Sequence, residues 1–206
     1  MGRIVVTQYL SLDGVMEAPG PRDVEDFKYK AWLFDFDRGP EGDQFKREEM
    51  LEAEALLFGR VTYETFAAVW PGMTGAPGLA GEMADRFNAM PKYVISSTLQ
   101  EAAWANSSIL RGDLADEVGR LRREVPGDIL VHGSRRLVQA MLEDDLVDEL
   151  RQMIYPVVLG AGSKLFGETS NKKPMELVTA KAVGDGVLIV VHRPRADLAE
   201  PRVRRR

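Results

Sequence analysis

The sequence predicts an α/β domain of three layers, αβα, around a mixed, mostly parallel sheet of about eight strands. Three observations carry this. Apolar runs of strand length alternate with helical segments over most of the chain. Two of those runs, Ile4–Val6 and Ala55–Phe58, are continuous, as expected of central strands covered on both faces. After Asp148 the period changes, and Met175–Val183 and Val187–Arg193 flank Gly184-Asp185-Gly186 as a β-hairpin that adds an antiparallel piece.

Taken in order, Arg3–Leu10 is the first strand, ended by Ser11-Leu12-Asp13-Gly14. Val15–Gly42 follows as a long irregular segment holding Pro19, Pro21 and Pro40. Loops of that length inside compact domains are usually functional or mobile. Its aromatic residues, Phe27, Tyr29, Trp32, Phe34 and Phe36, predict that it packs onto the domain. Asp43–Glu54 is predicted as a helix with Phe45, Met50, Leu51 and Ala53 facing inward. The strand Ala55–Phe58 then feeds a helix through a tight turn at Gly59, and Trp70-Pro71-Gly72 stops that helix. Leu79–Met90 is helical up to Pro91. Lys92–Ser96 and, more weakly, Ser107–Leu110 are strands; Asp113–Glu124 is a helix with Asp113 as N-cap. Asp128–His132 is a strand, Arg135–Glu143 a helix, and Glu149–Tyr155 a strand running into Pro156 and the Gly160-Ala161-Gly162-Ser163 loop.

Composition narrows the function classes. A chain of 206 residues, 45% hydrophobic and 29% charged, suits one domain over residues 1–195 with a core that needs no staples. Residues 196–206 form a basic tail, ending in Arg202–Arg206, that reads as a solvated, disordered end. No cysteine is present, which removes disulfides, thiolate metal sites and cysteine nucleophiles. His132 and His192 are the two histidines, too few for a histidine-rich metal centre, so no metal is expected. A net charge of −5 argues against a general nucleic-acid binder. No apolar run approaches the roughly 20 residues that span a bilayer, and the N-terminus lacks a signal-peptide pattern, so a cytoplasmic protein is expected.

Three strands end in small or hydroxyl residues: Gly59-Arg60-Val61-Thr62, Ser96-Ser97-Thr98 and His132-Gly133-Ser134-Arg135. Two of these junctions open directly into a helix, whose N-terminal N–H groups and dipole suit an anion. Arg60 adds a fixed charge with a fork geometry that matches phosphate. Three such ends side by side would hold an extended, phosphate-bearing ligand, and a dinucleotide fits better than a small metabolite. The fingerprint G-x-G-x-x-G is missing, which argues against an ordinary Rossmann domain, and so is the G-x-x-x-x-G-K-[ST] phosphate loop.

The segments Val6–Gly14, Leu57–Glu64, Tyr93–Thr98, Ile129–Ser134 and Tyr155–Gly162 together resemble the dihydrofolate-reductase-like fold, and within it the RibD C-terminal domain family of riboflavin-pathway reductases. The resemblance implies NADPH as cofactor. It places Gly59 and Thr62 at the pyrophosphate, Arg60 at the adenosine 2′-phosphate, Ser96 and Ser97 beside that phosphate, and Gly133, Ser134 and Arg135 on the pyrophosphate and nicotinamide side. Asp13 becomes the candidate catalytic group near the nicotinamide or substrate; its other reading is a turn-former before Gly14. His132 is expected to be structural. Asp35, Asp37, Glu41 and Asp43 are available for the acid that binds the pterin in dihydrofolate reductases, although none matches it clearly. The chain departs from the riboflavin-pathway pattern G-x-x-T-x-x-x-D-x-P, with Phe66 at the acid and Ala68 at the proline, and it has no zinc deaminase domain.

These readings imply a reductase that moves hydride from NADPH to a small heterocyclic, carbonyl or imine substrate. The alternative is a non-catalytic nucleotide-binding or regulatory module on the same fold. The resemblance further implies a homodimer through the region of Glu149–Tyr155 and the hairpin; the charge and the apolar run lengths argue against nucleic acid and membrane as partners.

Overall fold

The computed structural model describes residues 1–20 and 27–198. Eight strands form one sheet: β1 (Arg3–Ser11), β2 (Ala53–Gly59), β3 (Lys92–Ile95), β4 (Ser107–Leu110), β5 (Asp128–His132), β6 (Glu149–Tyr155), β7 (Met175–Val183) and β8 (Val187–Pro194). Their order is β4-β3-β2-β5-β1-β6-β8-β7. The first six pair in parallel, and β8 runs antiparallel to both β6 and β7. Five helices accompany them: α1 (Gly39–Glu52), α2 (Arg60–Val69), α3 (Gly78–Ala89), α4 (Leu114–Glu124) and α5 (Arg135–Glu143). The chain therefore has the αβ architecture and the mostly parallel eight-stranded sheet that its apolar periodicity predicts.

The strands that position the site follow from their burial. Ile4, Val5 and Val6 are fully buried in β1, which lies between β5 and β6. Alternation along β1 sends Ile4, Val6 and Leu10 into a core with Leu121, Val138 and Met141 of α4 and α5. Val5 joins Leu56, Phe58, Tyr63 and Phe87 on the opposite face. A third cluster, around Tyr155, Trp32, Met153 and Ile189, fills the outer part of that second face. The aromatic loop packs here as its composition predicts: Trp32 is buried against Tyr155 with ring centroids 5.6 Å apart, and Phe36 stands 6.3 Å from the same ring. Phe34 is the exception and stays 65% exposed.

One helix departs from expectation. The predicted helix Asp43–Glu54 starts earlier, at Gly39, with Pro40 in its first turn, and ends at Glu52, where Ala53 opens β2. Proline is compatible with a first helical turn because its missing N–H would be unpaired there anyway. Its inner face also differs: Leu51 is exposed, whereas Lys46 and Glu49 are buried beside Met50. Phe45, Met50 and Ala53 pack inward as predicted, and opposite charges that pair with each other and with the sheet share that inner face with them. Asp113 caps α4 as predicted, accepting from the N–H groups of Ala115 and Asp116.

The hairpin turn is tied to the start of α1. Asp185 N–H donates to the Asp37 carbonyl at 2.7 Å, and Asp37 N–H donates back to the Asp185 carboxylate at 2.8 Å. Gly184, with φ +47°, leaves no room for a side chain, since a Cβ there would stand 2.1 Å from the Asp37 carbonyl oxygen. Residues 196–198 form a 3₁₀ turn; the rest of the basic tail, 199–206, lies outside the described residues.

Candidate active site

The three strand ends singled out by sequence lie next to one another, because β3, β2 and β5 are consecutive in the sheet. β2 and β5 each pass straight into a helix, α2 and α5, while β3 runs into a turn. Side chains and backbone groups from the two helix starts interlock. Gly59 N–H donates to Ser134 Oγ at 3.0 Å, and Ser134 N–H donates to Thr62 Oγ1 at 2.8 Å. Gly133 fits tightly against α2: a Cβ there would meet Thr62 Oγ1 at 3.0 Å, and its φ is +51°. Ser134 follows with φ +52° and ψ +42°, so two successive residues hold a left-handed conformation.

Both helix N-termini lack a side-chain cap. Gly59 has no side chain to offer α2, and Ser134 gives its hydroxyl to Gly59 instead of to α5. First-turn N–H groups have no intrahelical partner. The two adjoining starts therefore turn their first-turn donors and positive dipole ends toward the same edge of the sheet, an arrangement that suits a diphosphate. A Cβ at Gly59 would sit in ordinary contact with Leu137 at 3.7 Å and Ser134 at 3.9 Å.

The charged and hydroxyl residues around this cradle are placed unevenly. Arg60 sits at the start of α2, 43% exposed, and pairs with Glu64 one turn on at 2.8 Å. Arg135 occupies the first position of α5 and is half-buried. Ser96 is buried, and its hydroxyl accepts from the N–H groups of Thr98 and Leu99, so it holds its own turn. Ser97 is exposed. Arg111, at the end of β4, secures this turn by donating to the carbonyls of Ser97 at 3.1 Å and Leu99 at 2.6 Å. The sequence pattern alone did not mark Arg111; an arginine directly after a strand beside the paired serines was the available signal.

Asp13 lies in the turn that follows β1. Its carboxylate accepts from Ser11 Oγ at 2.7 Å, Leu159 N–H at 3.1 Å and Gly160 N–H at 3.0 Å. The Ser11 hydroxyl, with help from the two amides, holds it below the ordinary carboxylate range. It is therefore an anion at neutral pH that ties the end of β1 to the glycine loop after β6.

His132 is buried at the end of β5, between Phe66 at 5.7 Å and Phe87 at 5.4 Å. Burial, reinforced by the nearby Lys46 ammonium, pushes it well below its ordinary value, so it is neutral at physiological pH. Phe66 also packs on Phe58 at 5.2 Å and belongs to this aromatic cluster. The sheet face under α1 is charged. Lys46 bonds Glu49 and, at 2.9 Å, Thr7 Oγ1, and its ammonium stands 5.2 Å from the Tyr9 ring centroid. Arg151 extends the network to Glu149 at 2.6 Å and Asp128 at 3.5 Å. Of the acids available for a pterin, Asp37 accepts from Gly39 N–H, Asp43 pairs with Arg38 and Glu41 pairs with Lys181.

A family model, the RibD C-terminal domain, matches residues 3–189. The chain belongs to that family. The match thus spans β1 to β7 and the first three residues of β8. Among curated proteins, the chain is 28% identical over 145 residues to the uncharacterized protein YyaP of Bacillus subtilis (strain 168), covering 68% of this chain and 74% of YyaP. A solved Shewanella sp. PV-4 protein assigned to riboflavin biosynthesis superposes with a TM-score of 0.73 at 21% identity, covering 94% of this chain and 99% of that one. Dihydrofolate reductase from Enterococcus faecalis, solved with NADP(H), gives a TM-score of 0.52 at 13% identity, covering 93% and 96%. At those identities the two structures establish the fold, which is dihydrofolate-reductase-like. Among the described residues, no helix is long and apolar enough to cross a membrane, and no cluster of His, Cys, Asp and Glu could hold a metal.

Proposed function

We propose that this member of the RibD C-terminal domain family is an NADPH-dependent reductase acting on a small heterocyclic, carbonyl or imine substrate. The observation that carries the reading is the pair of uncapped helix starts at Gly59 and Ser134, locked together through Thr62. The diphosphate would lie against the first turns of α2 and α5, near Gly59, Thr62, Gly133, Ser134 and Arg135. Arg60, Ser96 and Ser97 would meet the adenosine end. When bound, reduced nicotinamide supplies the hydride. Asp13, ionised and held by three donors, would act near the nicotinamide by fixing the glycine loop and through its charge, not by giving up a proton. Phe66, apolar and packed among rings, offers no hydrogen bond to a ribose, so the substrate is unlike the phosphoribosyl compound of riboflavin synthesis.

One observation favours a second reading, a nucleotide-binding module without catalysis: Asp37, Glu41 and Asp43 are all engaged in caps or ion pairs. Consumption of NADPH with a panel of pterins, flavins and ribityl uracils separates the two. We also propose a cytoplasmic homodimer that joins through the outer part of the sheet, where β7 is an exposed edge strand and Leu177, Val178 and Leu188 are exposed. A monomer by light scattering at high concentration would refute that assembly.

The cofactor reading is tested at Arg60. Its guanidinium is 43% exposed and shares Nη1 with Glu64. Its contribution therefore falls at the low end for a charge-assisted bond, about tenfold in affinity. Arg60→Ala should weaken NADPH binding by that factor and leave NADH nearly unchanged, while Arg60→Lys recovers part of the loss. Equal losses for both cofactors would move Arg60 to the diphosphate, and no loss for either would return it to the surface.

A further inference from the structure

Gln8 is out of character with its column. It lies on the face of β1 that carries Ile4, Val6 and Leu10, is 5% exposed, and stands where an apolar side chain would pack as well. Its amide Nε2 donates to the Gly133 carbonyl at 2.9 Å. The same peptide unit ends in the Ser134 N–H, which Thr62 Oγ1 accepts at 2.8 Å. One peptide is thus gripped at both ends, by a side chain from β1 and a side chain from α2.

The grip opposes a local preference. A flip of that peptide turns ψ of Gly133 and φ of Ser134 by about half a turn each. Ser134 would pass from φ +52°, a region disfavoured for an L-residue, to about −130°, on the negative-φ side that L-residues prefer. Glycine accepts the accompanying change at position 133. The flipped state would also aim the Gly133 carbonyl where its N–H partner now points, at Thr62 and the first turn of α2. A carbonyl oxygen there would cap α2 and oppose an anion.

We infer that Gln8 is a positioning residue for anion binding: it holds the Gly133–Ser134 peptide in the strained orientation that keeps the α2 and α5 donors open. This rests on the cofactor reading for the identity of the anion, but the control of the peptide stands on its own geometry.

The test uses the full chain with Gln8→Leu, which removes the donor and suits the apolar column, together with Thr62→Val and the double variant. Binding of NADPH and of inorganic pyrophosphate is measured by calorimetry. Amide hydrogen exchange at Ser134 and thermal unfolding are followed without ligand. Gln8→Leu should weaken both ligands about tenfold and speed exchange at Ser134, with the melting temperature close to wild type. The double variant should lose less than the product of the single losses, because both side chains hold one peptide. Gln8→Asn, an amide one methylene shorter, should behave like Gln8→Leu. Unchanged exchange at Ser134 in Gln8→Leu overturns the inference, as does faster exchange with unchanged affinity for both ligands. Wild-type protein that binds pyrophosphate but not NADPH would sink the cofactor reading alone, and one that binds neither would overturn the inference as well.

Discussion

Between β2 and β5 the polar groups are neutral and few: two hydroxyls, one amide and the backbone, joined by single hydrogen bonds of 2.8–3.0 Å. Across β1, beneath α1, they are charged and crowded, with Lys46, Glu49, Arg151, Glu149 and Asp128 all buried and joined into one network. The charged face looks like a reaction centre and the neutral edge like ordinary turns. Physical accounting reverses that impression. Most of the ions answer one another, and Glu49 Oε2, which lacks a hydrogen bond, faces Arg151 Nη1 at 3.9 Å. At the strand ends the side chains are spent on holding backbone, and the helix donors beside them stay open. What marks a binding site is unsatisfied capacity, not the amount of charge.

The largest expected effect tests the charged face. Lys46→Met leaves Glu49, 2% exposed, with Arg151 Nη1 at 3.9 Å as its remaining cation. Breaking a buried pair in this way should destabilise the protein by about 3 kcal/mol or more in a denaturant titration. Lys46→Met combined with Glu49→Leu should recover most of that and bind NADPH as wild type does. A stable double variant that no longer binds would break the comparison, because the network would then serve the ligand.

Next comes the neutral edge. Gly133→Ala places a methyl 3.0 Å from Thr62 Oγ1 at φ +51°, at a backbone cost of about 1–2 kcal/mol. The change should weaken NADPH binding more than tenfold, with a fall in stability smaller than that of Lys46→Met. Wild-type affinity in this variant would mean that the tight fit of the two turns is irrelevant to the ligand.

A third effect belongs to neither region and sets the background for pH experiments. Lys92 is fully buried at the start of β3, donating to the carbonyls of Phe87, Asn88 and Met90. Burial outweighs those acceptors and lowers its ammonium to about 8 from 10.5. Between those values the unfolded chain holds a proton that the folded chain does not. Stability should therefore rise as pH goes from about 8 to 10.5 and show no contribution of this kind below. Denaturation midpoints across that range, compared with Lys92→Met, should show the slope in wild type and not in the variant.

The fold was readable because most of its strands are continuous apolar runs bounded by glycine, proline or hydroxyl residues, as at Ile4–Val6 and Ala55–Phe58. α1 was misread at both its start and its inner face. Pro40 resembles a loop signal, and Lys46 and Glu49 resemble a solvated face until Arg151, more than a hundred residues away, is known to lie opposite. At the site, Gly59, Thr62, Gly133 and Ser134 were legible as types suited to strand ends, and the structure brings them within hydrogen-bonding reach of one another. Gln8 left a trace that could have been used, an amide in the middle of the column Ile4, Val6, Leu10. Its partner is a backbone carbonyl, which no residue pattern advertises.

For protein engineering, the bond between the hairpin turn and the start of α1 redirects where the chain accepts cargo. Exposed β-hairpin tips are the usual place to insert an epitope, a fluorophore-bearing residue or a fused domain. Here Gly184 and Asp185 are closed to insertion, since even one methyl at Gly184 would press on Asp37 and Arg38 and push the first turn of α1 off the sheet. Gly72, in the 3₁₀ turn Trp70–Met73, and Gly75 just after it offer room instead, since an added side chain at either meets nothing within 4 Å.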